Sequence, residues 1–154
     1  MKLSKRGEYG LKAMIELAVR ESERGVVQIK TLATHEQIPV KFLEQIMVTL
    51  KHAGLLQSKA GLGGGYHLAR PAREITLGQI VRVLDGPLAP IRCVSQMAYA
   101  RCVCEDEKTC GLRLVMLDVR NAIADTLDSA TLADVAARQR RAESRARRIV
   151  RRAT

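Results

Sequence analysis

Four cysteines, Cys93, Cys102, Cys104 and Cys110, fall within 18 residues, and the rest of the 154-residue chain has none. Thiolates bind metals, hold iron-sulfur clusters and exchange with disulfides, so this crowding marks a candidate site. In a reducing cytosol it favours metal or redox chemistry over structural disulfides. No C-x-x-C pair is present, and structural zinc sites usually display such pairs. Thiolates on an irregular loop suit an iron-sulfur cluster, whose stability depends on solvent access and on hydrogen bonds to sulfur. Composition alone leaves zinc and a thiol-disulfide sensor open.

Other chemistry is scarce. The three histidines sit in no triad-like setting, and a thiol oxidoreductase would need the missing C-x-x-C, so an enzyme is not expected. The glycine run of residues 60–65 is followed by the strand-like Tyr66-His67-Leu68. A dinucleotide loop must instead deliver the phosphate to a helix N-terminus.

The elements that position these residues follow from periodicity. Leu11, Met14, Ile15 and Ala18 recur at helical spacing and predict a helix over residues 8–20. A short helix over 29–36, with Ile29, Leu32 and Ala33 inward, breaks at Gln37-Ile38-Pro39. Over 40–52 the stripe Leu43, Ile46, Met47 and Leu50 is inward, leaving Lys41, Gln45, Val48 and His52 on the outer face before Gly54 ends the helix. Two strands, over 55–59 and 66–69, flank the glycine-rich tip. Helix, helix and hairpin in this order predict a winged helix-turn-helix.

Thr76 and Gln79 form a capping box, with Ile75 and Ile80 as its hydrophobic staple, for a helix over 77–84 closed by Gly86 and Pro87. The stretch 87–109 has no sustained periodicity. Leu112, Val115, Met116, Val119, Ile123, Thr126, Leu127 and Ala130 then line a long helix suited to dimerisation. Thr131 and Asp134 cap a last short helix expected to fray into an arginine tail. The expected fold is mainly α with a small β-hairpin wing. Its segments are a winged domain (1–86), a cysteine loop (87–110), a dimerisation helix with a short terminal helix (111–137) and a basic tail (138–154).

The charge follows this division. Lys and Arg number 26 against 16 Asp and Glu. Residues 1–85 carry +5, 86–137 carry −2 and 138–154 carry +7. A basic folded module points to a polyanion such as double-stranded DNA. No apolar run approaches the length of a membrane span, so a soluble, cytoplasmic protein with no membrane partner is expected.

The runs Lys2-Leu3-Ser4-Lys5-Arg6-Gly7-Glu8-Tyr9, Phe42-Leu43-Glu44-Gln45-Ile46, Ala53-Gly54-Leu55-Leu56-Gln57-Ser58, Gly64-Gly65-Tyr66-His67-Leu68-Ala69-Arg70-Pro71 and Ile75-Thr76-Leu77-Gly78 resemble, in order, the IscR/NsrR/RirA family of bacterial regulators. The resemblance implies a homodimeric winged-helix transcription factor, a repressor by preference, that binds an operator in double-stranded DNA. It also implies an iron-sulfur cluster, two-iron two-sulfur or four-iron four-sulfur, that senses nitric oxide, redox state or iron. DNA contacts carried over by the resemblance are Lys41, Gln45 and His52 on the recognition helix and Lys59, Gly64, Gly65 and Tyr66 on the wing. Gln45 suits an adenine edge and Lys41 a phosphate or guanine. Cys93 and Cys110 match the outer cluster ligands, and Cys102 or Cys104 the middle one. Arg113 stands where IscR-like proteins have a ligand histidine, so the fourth ligand is Glu8, as in NsrR-like proteins, or the remaining cysteine. The neutral Ala60 and Gly63 depart from a basic wing tip, which implies fewer phosphate contacts there.

Overall fold

The computed structural model describes residues 2–21 and 25–153, with the side chains of 150–153 left aside. Six helices and one two-stranded sheet make up the described chain. The first helix, α1 (Lys5–Val19), starts earlier than periodicity suggests because Ser4 caps it, its hydroxyl accepting from the Gly7 N–H at 3.0 Å. The Ser4 N–H and hydroxyl also donate to the Asp85 carboxylate, at 2.8 and 2.5 Å. This cap therefore ties two distant segments together. Helices α2 (Ile29–Glu36) and α3 (Val40–His52) are joined through Gln37, whose φ of 55° supplies the turn before Pro39.

Strands β1 (Leu56–Lys59) and β2 (Gly65–Leu68) pair antiparallel, Leu56 opposite Leu68 and Lys59 opposite Gly65. Tyr66 also exchanges both backbone hydrogen bonds with Val27, each 2.9 Å, so the wing has a third partner just ahead of α2. A Cβ on Gly65 would lie 2.3 Å from the Val27 carbonyl oxygen. Glycine is therefore required there by backbone approach.

Helix α4 (Leu77–Asp85) carries the capping box expected of Thr76 and Gln79. It crosses α1 closely at Gly10, where a Cβ would lie 2.1 Å from the Leu84 Cδ1. The core joins Met14 and Leu17 of α1, Leu32 of α2, Leu43, Ile46, Met47 and Leu50 of α3, Leu56 of β1 and Ile75 and Ile80 around α4.

Helix α5 (Gly111–Ser129) buries none of its residues in its own chain and leaves Leu112 62% and Val115 57% exposed. Helix α6 (Leu132–Ala153) corrects two expectations. The winged domain is not complete without it, since Leu132 and Ala136 are fully or nearly fully buried in the core. The expected short helix does not fray at Arg138 but continues to Ala153. Thr131 and Asp134 cap it as expected: the Asp134 carboxylate accepts from the Thr131 N–H and hydroxyl, at 3.1 and 2.6 Å. Alanine and arginine, which favour helix, dominate residues 136–148 and carry it onward.

Candidate DNA-reading surface and cysteine site

Burial of Leu43, Ile46, Met47 and Leu50 turns Lys41, Gln45 and His52 to solvent on α3, with the Lys41 side chain 93% exposed and its ammonium 3.4 Å from Glu44 Oε2. Lys51, at the end of the same helix, donates to the Ser58 hydroxyl of β1 at 2.6 Å, fixing the wing against the recognition helix. Arg6 of α1 donates to the Thr49 hydroxyl at 2.6 Å.

The wing residues gather elsewhere. Lys59, Gly64, Gly65 and Tyr66 line a shallow cleft whose opposite wall is Gln28, Ile29 and Lys30 at the start of α2. Sequence reasoning does not reach Gln28 and Lys30, because the bridge between Val27 and Tyr66 that brings them to the wing leaves no short-range signal. A Cβ on Gly64 would lie 2.3 Å from the Lys59 carbonyl oxygen, so both wing glycines have an internal structural reason. An outward helix and a hairpin held beside it make a surface shaped for the grooves and backbone of duplex DNA.

The second site is the loop between α4 and α5. Cys93 is buried in a 3-10 turn, Arg92–Val94. Cys110 is the N-cap of α5, where the Arg113 and Leu112 amides hold its thiol below the ordinary range. Cys104 Sγ lies 3.6 Å from Cys110 Sγ, and the Cys104 N–H donates to Cys102 Sγ at 3.3 Å. Hydrogen bonds that the Cys104 thiol makes to Cys102 and Cys110 stabilise its protonated form and push it up to about 12. Burial, followed by the nearby Cys102 and Glu107 charges, raises the Cys93 thiol. The fold thus brings all four cysteines into one neighbourhood.

Glu107 organises this loop. Its carboxylate accepts from the Cys102 N–H at 2.9 Å and from the Tyr99 hydroxyl at 2.8 Å, and lies 4.0 Å from Arg113 Nε. These contacts, the Cys102 amide foremost, lower its pKa. Arg113 Nε is buried with no hydrogen-bond acceptor. A guanidinium whose Nε has no hydrogen-bond acceptor, only the Glu107 carboxylate at 4.0 Å, and which neighbours Cys93 and Cys110 suits an anionic, sulfur-held group. The donor set therefore fits a cluster taking three or four thiolates.

Glu8 stands apart on α1, paired with Lys5 Nζ at 2.9 Å and Lys12 Nζ at 3.9 Å, the Lys5 hydrogen bond lowering its pKa. Glu16, His35 and Glu36 also offer ligand atoms within 4.8 Å of one another. Arg20 already pairs with the buried Glu16 there, and His35 Nδ1 faces Glu16 and Glu36, so this group is a polar network joining α1 to α2.

The fold and the outward helix beside its wing define a winged-helix transcriptional regulator. Residues 3–138 match the Rrf2 family of iron-dependent transcriptional regulators, and the chain belongs to that family. CymR of Bacillus subtilis, an HTH-type transcriptional regulator, is 39% identical over 136 residues, covering 88% of this chain and 90% of CymR. A putative rrf2-like HTH-type regulator of Rhodobacter capsulatus is 37% identical over 138 residues, covering 88% and 92%. The solved structure of B. subtilis CymR, described as the global cysteine regulator, superposes with a TM-score of 0.76 at 36% identity, over 89% of this chain and 97% of that one. IscR of T. potens gives 0.68 at 36% identity, over 88% and 85%. The chain is accordingly a DNA-binding transcriptional regulator. No described helix is long and apolar enough to cross a membrane.

Proposed function

We infer that the protein is a homodimeric regulator, a repressor by preference, whose affinity for an operator in double-stranded DNA is set at the cysteine loop by an iron-sulfur cluster. The observation that carries this reading is the gathering of Cys93, Cys102, Cys104 and Cys110 around the N-terminus of α5, with Arg113 Nε, which has no hydrogen-bond acceptor, close to Cys93 and Cys110. Cys93, Cys110 and one or both of Cys102 and Cys104 would hold the cluster, with Glu8 of a second protomer as the other candidate for the last ligand. A bound cluster supplies chemistry that reacts with nitric oxide, oxidants or iron shortage. The chain's own part is structural. Glu107 holds the Cys102 amide, the α5 N-terminus offers amides to Cys110, and Arg113 neutralises nearby negative charge.

The uncovered apolar residues of α5, Leu112 and Val115 among them, support pairing of two protomers along this helix. On the DNA, Lys41, Gln45 and His52 would face the major groove, and Lys59, Gly64, Gly65 and Tyr66 the backbone beside it.

A second reading rests on the 3.6 Å separation of Cys104 Sγ and Cys110 Sγ and on the lowered Cys110 thiol. A peroxide could oxidise this pair to a disulfide, taking two electrons and being reduced to water, which makes a cluster-free thiol switch the alternative. Anaerobic purification with iron and sulfide analysis, followed by operator binding with and without the bound group, separates the two. A brown protein that changes affinity on losing iron supports the cluster. A colourless protein that responds to peroxide through Cys104 and Cys110 supports the switch.

A further inference from the structure

The family match ends at residue 138, where the arginine-rich half of α6 begins. Residues 138–154 contain eight arginines and one acidic residue, Glu143. At about 100° per residue, all eight arginine positions fall in one half of the helix circumference. Gln139, Ala142, Glu143, Ala146 and Ile149 occupy the other half, in line with the buried Leu132 and Ala136 but exposed from Ala142 onward. Ala137, Arg140, Arg141, Ser144, Arg145 and Arg148 line one shallow concave face. All four of these arginines are exposed.

Arg141 and Arg145, or Arg145 and Arg148, lie one helical turn apart, where like charges repel. Charge needed only for solubility could be spread around the helix and avoid that repulsion. Segregation onto one side of a helix that is exposed all round from Arg140 to Ile149 matches a linear array of negative charge instead.

We propose that the arginine face of α6 is a second DNA-binding element, a basic arm that touches duplex phosphates without reading sequence. It rests on the chain's being a DNA-binding regulator, and it adds a phosphate grip that the recognition helix and wing do not supply. Arginine suits phosphate because its planar fork donates two parallel hydrogen bonds. A lipid surface is the less suitable polyanion. Residues 138–154 contain no Trp, Phe or Leu, and the opposite half sets the polar Gln139 and Glu143 beside Ala142, Ala146 and Ile149, a weak apolar face for a bilayer.

The test uses the full chain and a combined variant, Arg140→Gln, Arg141→Gln, Arg145→Gln and Arg148→Gln, with a matching set of Arg→Lys changes. Glutamine and lysine favour helix about as well as arginine, so circular dichroism should be unchanged in both. Affinity for a scrambled-sequence duplex is measured against salt. The glutamine variant should bind about tenfold or more weakly at physiological salt, with a log-log slope shallower by about 0.9 for each phosphate that is no longer neutralised. The lysine variant should retain most of the slope. Equal affinity and slope in the glutamine variant and the parent overturn the arm while leaving the winged domain's own binding intact. Unchanged DNA binding with lost affinity for phosphatidylglycerol vesicles overturns it in favour of a membrane surface.

Discussion

Arg82 of α4 and Asp128 of α5 face each other in a two-pronged ion pair, with nitrogen-oxygen distances of 2.6 and 2.8 Å. It links the winged domain to the helix that carries Cys110. Gly78 makes room for it, since a Cβ there would lie within 3.0 Å of the Asp128 carboxylate. Asp128→Asn should cost about 1 kcal/mol, a modest value because Asp128 is largely solvated. Gly78→Ala should cost at least as much, and the two changes together should cost less than their sum. Arg82 holds the Asp128 carboxyl below the ordinary aspartate range. The stabilisation is therefore complete above about pH 4 and is lost as pH falls through the lower folded value. Acid titration of the parent and Asp128→Asn should show their stabilities converging there.

The wing should respond to Gly65→Ala through its seam with Val27. The added methyl meets the Val27 carbonyl at 2.3 Å and forces the hairpin from that edge. A loss of about 1–3 kcal/mol in thermal or denaturant unfolding is expected, together with weaker DNA binding. Full retention of both would show that the seam is dispensable.

On the recognition helix, Lys41→Ala and Gln45→Ala should behave differently. If Lys41 holds a phosphate, its removal should weaken all duplexes similarly and flatten the salt slope by about 1, whereas a guanine contact would show as lost preference at one base pair. Removing a base partner at Gln45 should cost about 1–3 kcal/mol on the operator and relax preference at one base pair. Binding to an operator and to its single-base variants distinguishes them.

Glu107→Ala should loosen the cysteine loop by freeing the Cys102 amide and the Tyr99 hydroxyl. Hydrogen exchange at Cys102 should rise by about tenfold, matching the removal of one charged hydrogen bond of about 1.5 kcal/mol. On the cluster reading proposed above, iron and sulfide content after anaerobic purification should fall with it. Glu107→Gln should recover part of both, since its amide oxygen can still accept from Cys102.

Local signals carry much of this fold. The Thr76 and Gln79 capping box, the break at Pro39 and the inward stripe of α3 follow from short-range rules, and the structure places them as expected. The start of α1 escapes the periodicity because its cap, Ser4, precedes the apolar repeat. Long-range partners are hidden. Nothing in the sequence near Tyr66 points to Val27, and nothing near Cys102 singles out Glu107 from the neighbouring Glu105 and Asp106. The helical course of the arginine tail is masked by its charge density, which suggests fraying, whereas the helix propensity of arginine and alanine prevails.

Helix α5 is clamped where it rejoins the winged domain. Beyond the Asp128 pair, the Leu77 N–H donates to the Ala130 carbonyl and the Leu132 N–H to the Ile75 carbonyl, both at 2.9 Å. Cys110 lies at the opposite end, 18 residues from Asp128 and hence about 27 Å away along a helix. A tilt of the rod about the Arg82 clamp would make it a lever. A rotation of about 5° there would swing the Cys110 end by roughly 2 Å, and a comparable displacement at the sulfurs would act on α4, against which α1 and α3 are packed.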